Sequence, residues 1–155
     1  MTRDRCAVVG VGNTDYSFNS GRSTLTLAAQ ASVAALTDAG LEPGDIDGIV
    51  RCEMDEVLHA DLAATLGMSN VGFWAAGSWA GAAPCGMVGL AVNAICSGQA
   101  TNVLVFRSLN GRSGRRFGRE WSALRLRPAH EFLGSPREAL AAVLLFEAMG
   151  QRNRR

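Results

Sequence analysis

Between Asp61 and Arg107 the chain carries no charged residue. In a chain whose other segments are ordinarily polar, such a stretch is either buried or in a membrane. Pro84 suits the first turn of a helix, where its missing N–H costs nothing, and Ser97-Gly98 supplies a stop. The spacing predicts a helix from Pro84 to about Cys96. Its residues Met87, Val88, Gly89, Leu90, Ala91, Val92, Ala94 and Ile95 are apolar all round, so no polar face marks a surface helix. A central helix packed on several sides is the expectation. At about 14 residues it would span about 20 Å, too short for a bilayer. Four apolar residues without alternation, Val103 to Phe106, then predict a buried strand.

The rest of the chain frames this segment. Residues 1–5 are a polar start, and Cys6 to Gly12, apolar on both faces, predicts an internal strand. Asn13 to Arg22 reads as a loop. Ser23 or Thr24 caps a helix whose stripe is Leu25, Ala28, Ser32, Ala35, Leu36 and Ala39, and Gly40 stops it. Asp45 to Val50 leads into a second strand. This strand–helix–strand order predicts a right-handed crossover and a parallel pair. A helix follows from about Val57 to Leu66, with Gly67 at its end, and Val71 to Trp74 is a short strand. Beyond Phe106 the segment Arg107 to Arg119 is basic, rich in glycine and without periodicity, which predicts a loop. Trp121 to Leu133 shows no decisive pattern. Ser135-Pro136-Arg137-Glu138 reads as a capping box with Pro at the first helical position, opening a helix to about Met149. The expected organisation is an α/β domain over 1–108, an Arg/Gly-rich loop region over 109–135, and a C-terminal helix with a basic tail over 136–155.

Composition narrows the function classes. The chain has 155 residues, enough for one domain with a real core, and a net charge of +1 that favours neither nucleic acid nor a membrane surface. All 15 basic residues are Arg, most of them from Arg112 onward. Cys6, Cys52, Cys85 and Cys96 are widely spaced, with no C-x-x-C. That pattern points away from zinc and toward reduced thiols in a cytoplasmic setting. The first apolar run, Cys6 to Val11, is too short for a signal peptide.

Three segments carry candidate chemistry. Gly10-Val11-Gly12-Asn13-Thr14-Asp15 invites a dinucleotide-binding reading, but the third glycine is replaced by Asp15 and no helix opens on the glycines. A strand end and loop fit better. Glu53, Asp55 and Glu56 precede a helix, where negative charge suits the dipole, so their expected role is structural. His59 with Asp61 would suit metal or acid/base chemistry, against the plainer reading of two exposed polar residues on a helix. Arg112 and Arg115 lie in a loop able to fork several guanidiniums onto one phosphate; a solvated loop accounts for them equally well.

Taken together, the strand and helix order, Ala39-Gly40-Leu41, Asp45 to Val50 and Val103-Leu104-Val105 resemble the N-terminal half of a thiolase-superfamily protein. Gly98 to Asn110, continuing through Arg112-Ser113-Gly114 and Arg116-Phe117-Gly118, resembles one branch more closely. This is the cysteine-less thiolase-like lipid-transfer branch, related to sterol-carrier-protein thiolases, which includes steroid side-chain aldolases. The likeness extends over about residues 5–120, and more loosely over Ser135 to Val143. It implies a mixed sheet with a buried central helix as one half of a duplicated fold, with the second half absent from this sequence.

The resemblance also implies a site. Active thiolases carry a nucleophilic cysteine at the turn into the buried helix, and counting back from Val103 that position falls on Gly81. Glycine cannot be acylated, which favours aldol over Claisen chemistry, as in the aldolase branch. Cys85, one turn later, is the alternative nucleophile, since a helix N-terminus lowers a thiol's pKa. Ser78, Gly81, Ala82, Arg112 and Arg115 are the expected substrate-binding residues, with backbone N–H groups near Gly81 to Ala83 as donors to an enolate. The catalytic acid/base groups of the family lie in its second half, and Tyr16, the chain's one tyrosine, sits in an early loop. The substrate implied is a coenzyme A thioester, with no bound cofactor or metal. The assembly implied is a homodimer with Val71 to Trp74 near the two-fold axis, with a partner combining a zinc ribbon and an OB-fold. The competing expectation is a truncated, non-catalytic remnant that binds or assembles with other chains.

Overall fold

The computed structural model describes residues 4–77 and 82–110 and the backbone of 139–148. The elements are β1 (Cys6–Asn13), α1 (Thr24–Ala39), a 3-10 turn (Pro43–Asp45), β2 (Gly48–Cys52), α2 (His59–Leu66), β3 (Phe73–Gly77), α3 (Ala83–Cys96), β4 (Asn102–Asn110) and β5 (Ala139–Ala148). The strands form one mixed sheet in the order β1-β5-β4-β2-β3. β2 pairs parallel with both β3 and β4, and β5 runs antiparallel between β4 and β1. β1, β2, β3 and β4 therefore all point the same way.

Local caps fix both ends of α1 and the C-terminal end of α2. Ser23 accepts a hydrogen bond from the Thr26 N–H, and Gly40, at φ 67°, closes α1 by donating to the Leu36 and Thr37 carbonyls. Gly67, at φ 70°, closes α2 in the same way. Residues on β4 alternate between two cores. Leu104 and Phe106 pack with Leu27, Ala31 and Ala35 of α1, Ile49 of β2 and Leu62 of α2. Val103 and Val105 pack with Met87, Ala91 and Ala94 of α3 and Val50 of β2. The sheet is thus the middle of three layers, with α1 and α2 on one face and α3 on the other.

Long-range side-chain hydrogen bonds fix the turns. The Asp47 carboxylate accepts from the Thr101 and Asn102 N–H groups at 2.9 Å, tying the entrance of β4 to that of β2. At the other end, the Ser108 hydroxyl donates to the Thr24 carbonyl (2.7 Å) and the Asn110 amide donates to the Arg22 carbonyl (2.8 Å).

Several expectations change here. Residues 139–148, expected in a helix, form β5, because β1 and β4 each present an edge and β5 fills the gap between them with backbone hydrogen bonds. The capping box at Ser135 lies outside the described residues. β1 and β2 are not neighbours: they run parallel, but β5 and β4 stand between them, and among the described strands β1 lies at the edge rather than inside the sheet. β4 continues through Arg107 to Asn110, which were expected to begin a loop. The polar side chains of Ser108 and Asn110 are accommodated by the hydrogen bonds to the start of α1. β3 covers Phe73–Gly77, slightly later than Val71 to Trp74. α3 presses Ala83, Met87, Ala91, Ala94 and Ile95 onto the sheet, while Cys85, Gly89 and Asn93 are exposed on its other side. Among the described residues, no helix is long and apolar enough to cross a membrane.

Candidate functional site

Four parallel strands ending on one side create a single edge where ligands of α/β sheets commonly bind. Asn13, Cys52, Gly77 and Asn110 end β1, β2, β3 and β4 there, and α3 begins at the same edge with Ala83. Ala82 is the residue before α3. Its side chain is exposed and its carbonyl accepts from the Gly86 N–H at 3.2 Å. Ala82 offers no side-chain cap to α3, so among the described residues no side chain caps the first N–H groups of the helix. Pro84 contributes none. Cys85 is exposed in this first turn. Of the other residues expected to bind substrate, Ser78, Gly81, Arg112 and Arg115 lie outside the described residues.

The strongest electrostatic feature at this edge is one that local sequence reasoning misread. Asp55, in the loop after β2, is 4% exposed. One carboxylate oxygen accepts from the Ser108 N–H at 2.8 Å, and the other lies 3.5 Å from Arg107 Nε. Burial pushes the Asp55 carboxyl up to about 6, although the Ser108 N–H, Arg107 and Arg51 each favour the charged form. The expected helix-dipole role does not hold for Asp55, because its side chain faces the end of β4. The Arg107 side chain is 27% exposed, so it stands beside Asp55 without being fully sealed from solvent. Arg107 follows Val103 and Val105 on the α3 face, the face on which the α3 N-terminus stands. An acidic residue just after an internal strand, with an arginine late in a neighbouring strand, was the available signal. Pairing them required the register between β2 and β4.

Cys52 is fully buried beside Asp55, and burial is the main reason its thiol is pushed up. It is a packed core thiol rather than a nucleophile. His59 occupies the opposite face. Its ring stacks on Trp74, with centroids 4.1 Å apart and planes 7° from parallel. Trp74 pairs with Ile49, whose side chain belongs to the α1 core, so the stack is across the sheet from α3. Burial and Arg51 hold the His59 imidazole below its ordinary pKa, against an opposing influence from Asp61. The result for His59 is a half-buried stacked ring rather than an exposed residue, while Asp61 is exposed as expected. Among the described residues, no three His, Cys, Asp or Glu side chains cluster to hold a metal. Tyr16 is exposed.

No family profile matches the chain. Curated relatives do. The chain is 42% identical over 118 residues to a 17-hydroxy-3-oxo-4-pregnene-20-carboxyl-CoA lyase of Mycobacterium tuberculosis, covering 76% of this chain and 31% of the relative. It is also 42% identical over 112 residues to a steroid side-chain-cleaving aldolase of Thermomonospora curvata, covering 72% of this chain and 29% of the relative. The chain thus spans about a third or less of the length of these relatives. Among solved structures, an Ltp2-ChsH2(DUF35) aldolase superposes with a TM-score of 0.79 at 24% identity, covering 97% of this chain and 57% of that one. An SCP2-thiolase-like protein of Mycobacterium smegmatis superposes with a TM-score of 0.68 at 16% identity, covering 99% of this chain and 47% of that one. With the three-layer α/β fold and the sheet order above, these matches establish that the chain belongs to the thiolase superfamily, on the branch of the steroid side-chain-cleaving aldolases.

Proposed function

We propose that the chain supplies the thiolase-like part of a retro-aldol lyase acting on a coenzyme A thioester with a sterol-derived side chain. The observation that carries this reading is the 42% identity, over most of the chain, to two proteins named for that cleavage. In such a reaction a base takes the proton of a β-hydroxyl group and the carbon–carbon bond beta to the thioester breaks. The electron pair becomes a thioester enolate, which is then protonated. No acyl-enzyme is required, which suits Gly81 at the position of the thiolase cysteine. Free N–H groups at the start of α3, next to Ala82, would stabilise the enolate oxygen. Ser78 would line the pocket, and Arg112 and Arg115 would bind phosphate groups of coenzyme A. The acid/base pair would come from outside this sequence. A homodimer formed near β3 and a zinc-ribbon/OB-fold partner complete the proposed assembly.

Titration calorimetry of the purified chain with a β-hydroxyacyl-CoA tests the binding half of the proposal. Heat of binding is expected, and its absence would count decisively against the reading. Cys85→Ala is expected to leave lyase turnover of the complete assembly unchanged; its loss would move the chemistry to a shifted nucleophile.

A second reading is favoured by the outer side of α3. Val88, Leu90 and Val92 are only half-buried there, beside exposed Cys85, Gly89 and Asn93. On this reading the chain is a non-catalytic subunit that assembles through that surface. Retro-aldol turnover by the purified 155-residue chain alone would eliminate it.

A further inference from the structure

β4 outruns its neighbour. The β2–β4 ladder stops at Arg51 and Phe106, while β4 continues to Asn110. Asp55 takes the place that β2 has left. Its own N–H donates to the Cys52 carbonyl at 3.2 Å, and its carboxylate accepts from the Ser108 N–H at 2.8 Å. Val103 and Val105 pack with Ala83 and Met87 of α3. Arg107 is the next residue on that face, about 7 Å further toward the edge from which α3 sets out. Its Nε is buried and makes no hydrogen bond, and neither does the Asp55 oxygen 3.5 Å away. At that separation the two form an ion pair without a well-made hydrogen bond. A guanidinium carries five N–H donors, and a buried donor left unused is costly unless another acceptor comes to it.

We propose that Arg107 is a catalytic residue that donates N–H bonds to the thioester oxygen of the substrate as it becomes an enolate oxygen. This rests on the reading of the chain as part of a retro-aldol lyase acting on a thioester. The charge of the site selects the ligand. With Asp55 ionised, the Arg107–Asp55 pair carries no net charge. A permanent phosphate dianion gains little there, because the carboxylate repels it. A carbonyl oxygen is neutral when it binds and gains charge only as the carbon–carbon bond breaks, so a donor already in place favours the transition state over the bound substrate. The Arg107 side chain is 27% exposed, so it is not closed to a ligand. Arg107 thereby adds a cationic donor to the backbone N–H groups at the start of α3, on the same face of the sheet and at the same edge.

The test mixes the full 155-residue chain with acetoacetyl-pantetheine, a thioester without nucleotide phosphates, and reads the ultraviolet band of its enolate. The Cα proton passes to the buffer, and binding at Arg107 should raise the enolate fraction. Arg107→Met should cut that rise by about tenfold or more. Arg107→Lys keeps the charge beside Asp55 but not the planar fork, and should recover only part of the rise; it decides alone if Arg107→Met does not fold. Binding of coenzyme A itself, read by calorimetry, should be the same in wild type and variants. No rise with the wild-type chain, or an equal rise in wild type and variants, would overturn the proposal. So would a loss of coenzyme A binding in Arg107→Met with the enolate band kept, which would make Arg107 a phosphate ligand. An Arg107-dependent band without any heat from coenzyme A would instead support Arg107 as the donor and sink the coenzyme A reading.

Discussion

The two faces of the sheet are built to different standards. On the α1 face, the helix is capped at both ends by Ser23 and Gly40, and its small residues let the strand approach closely. A Cβ added to Gly12 would run into the Ala31 carbonyl oxygen and reach Ala35 Cβ at 3.0 Å; one added to Gly10 would meet Ala39 Cβ at 2.9 Å. On the α3 face, the helix has no side-chain cap, its outer side is partly open, and the close approach at Gly77 is to the flexible Met87 side chain. The difference teaches that stability and chemistry are divided between the faces. The closed face holds the sheet, and the looser face presents a helix start and an anchored arginine at the carboxyl edge.

The largest expected effect tests the closed face. Phe106 is fully buried there, and Phe106→Ala should cost about 3–5 kcal/mol in urea unfolding. A cost below 1 kcal/mol would break the comparison.

Next comes the group at the edge between the faces. Asp55 has a folded pKa of about 6, raised from 3.8, so the folded state binds more protons between those values. Stability from this group is fully present below pH 4 and is lost as pH rises through 6, a change of about 3 kcal/mol. Asp55→Asn should flatten the stability profile between pH 4 and 7, read from melting temperatures across that range. An unchanged slope would mean that the carboxylate is not held as the geometry indicates.

A smaller effect is expected at the tight approach of β1. Gly12→Ala should destabilise by about 1–3 kcal/mol through overpacking, measured by chemical denaturation. A neutral outcome would show that α1 can shift outward, and the closed face would then be less rigid than it looks. Smallest is the cap: Ser23→Ala should cost about 1 kcal/mol. Hydrogen exchange should localise that loss to the first turn of α1, without reaching α3.

These glycines also explain why a dinucleotide motif fails here. Gly10 and Gly12 are small because α1 lies against them, not because a pyrophosphate does. The sequence already argued against nucleotide binding from the missing third glycine, but the positive reason became visible only with α1 in place.

What the sequence determined by itself is the local part. The caps of α1, the glycines ending α1 and α2, the start of α3 at Pro84 and the apolar run of β4 are each set by residues within a few positions of one another. Thiolase kinship could also be read from the order of these elements. The sheet order, the strand at Ala139–Ala148 and the role of Asp55 were decided by tertiary structure. Alanine and leucine in β5 suit a helix, and only the two facing edges of β1 and β4 make an extended chain the better solution. Asp55 lies 53 residues from the Ser108 N–H it accepts from. No local pattern encodes that distance, because strand register is a property of the assembled sheet. Burial, and with it the raised pKa of Asp55, exists only once the sheet has closed around it.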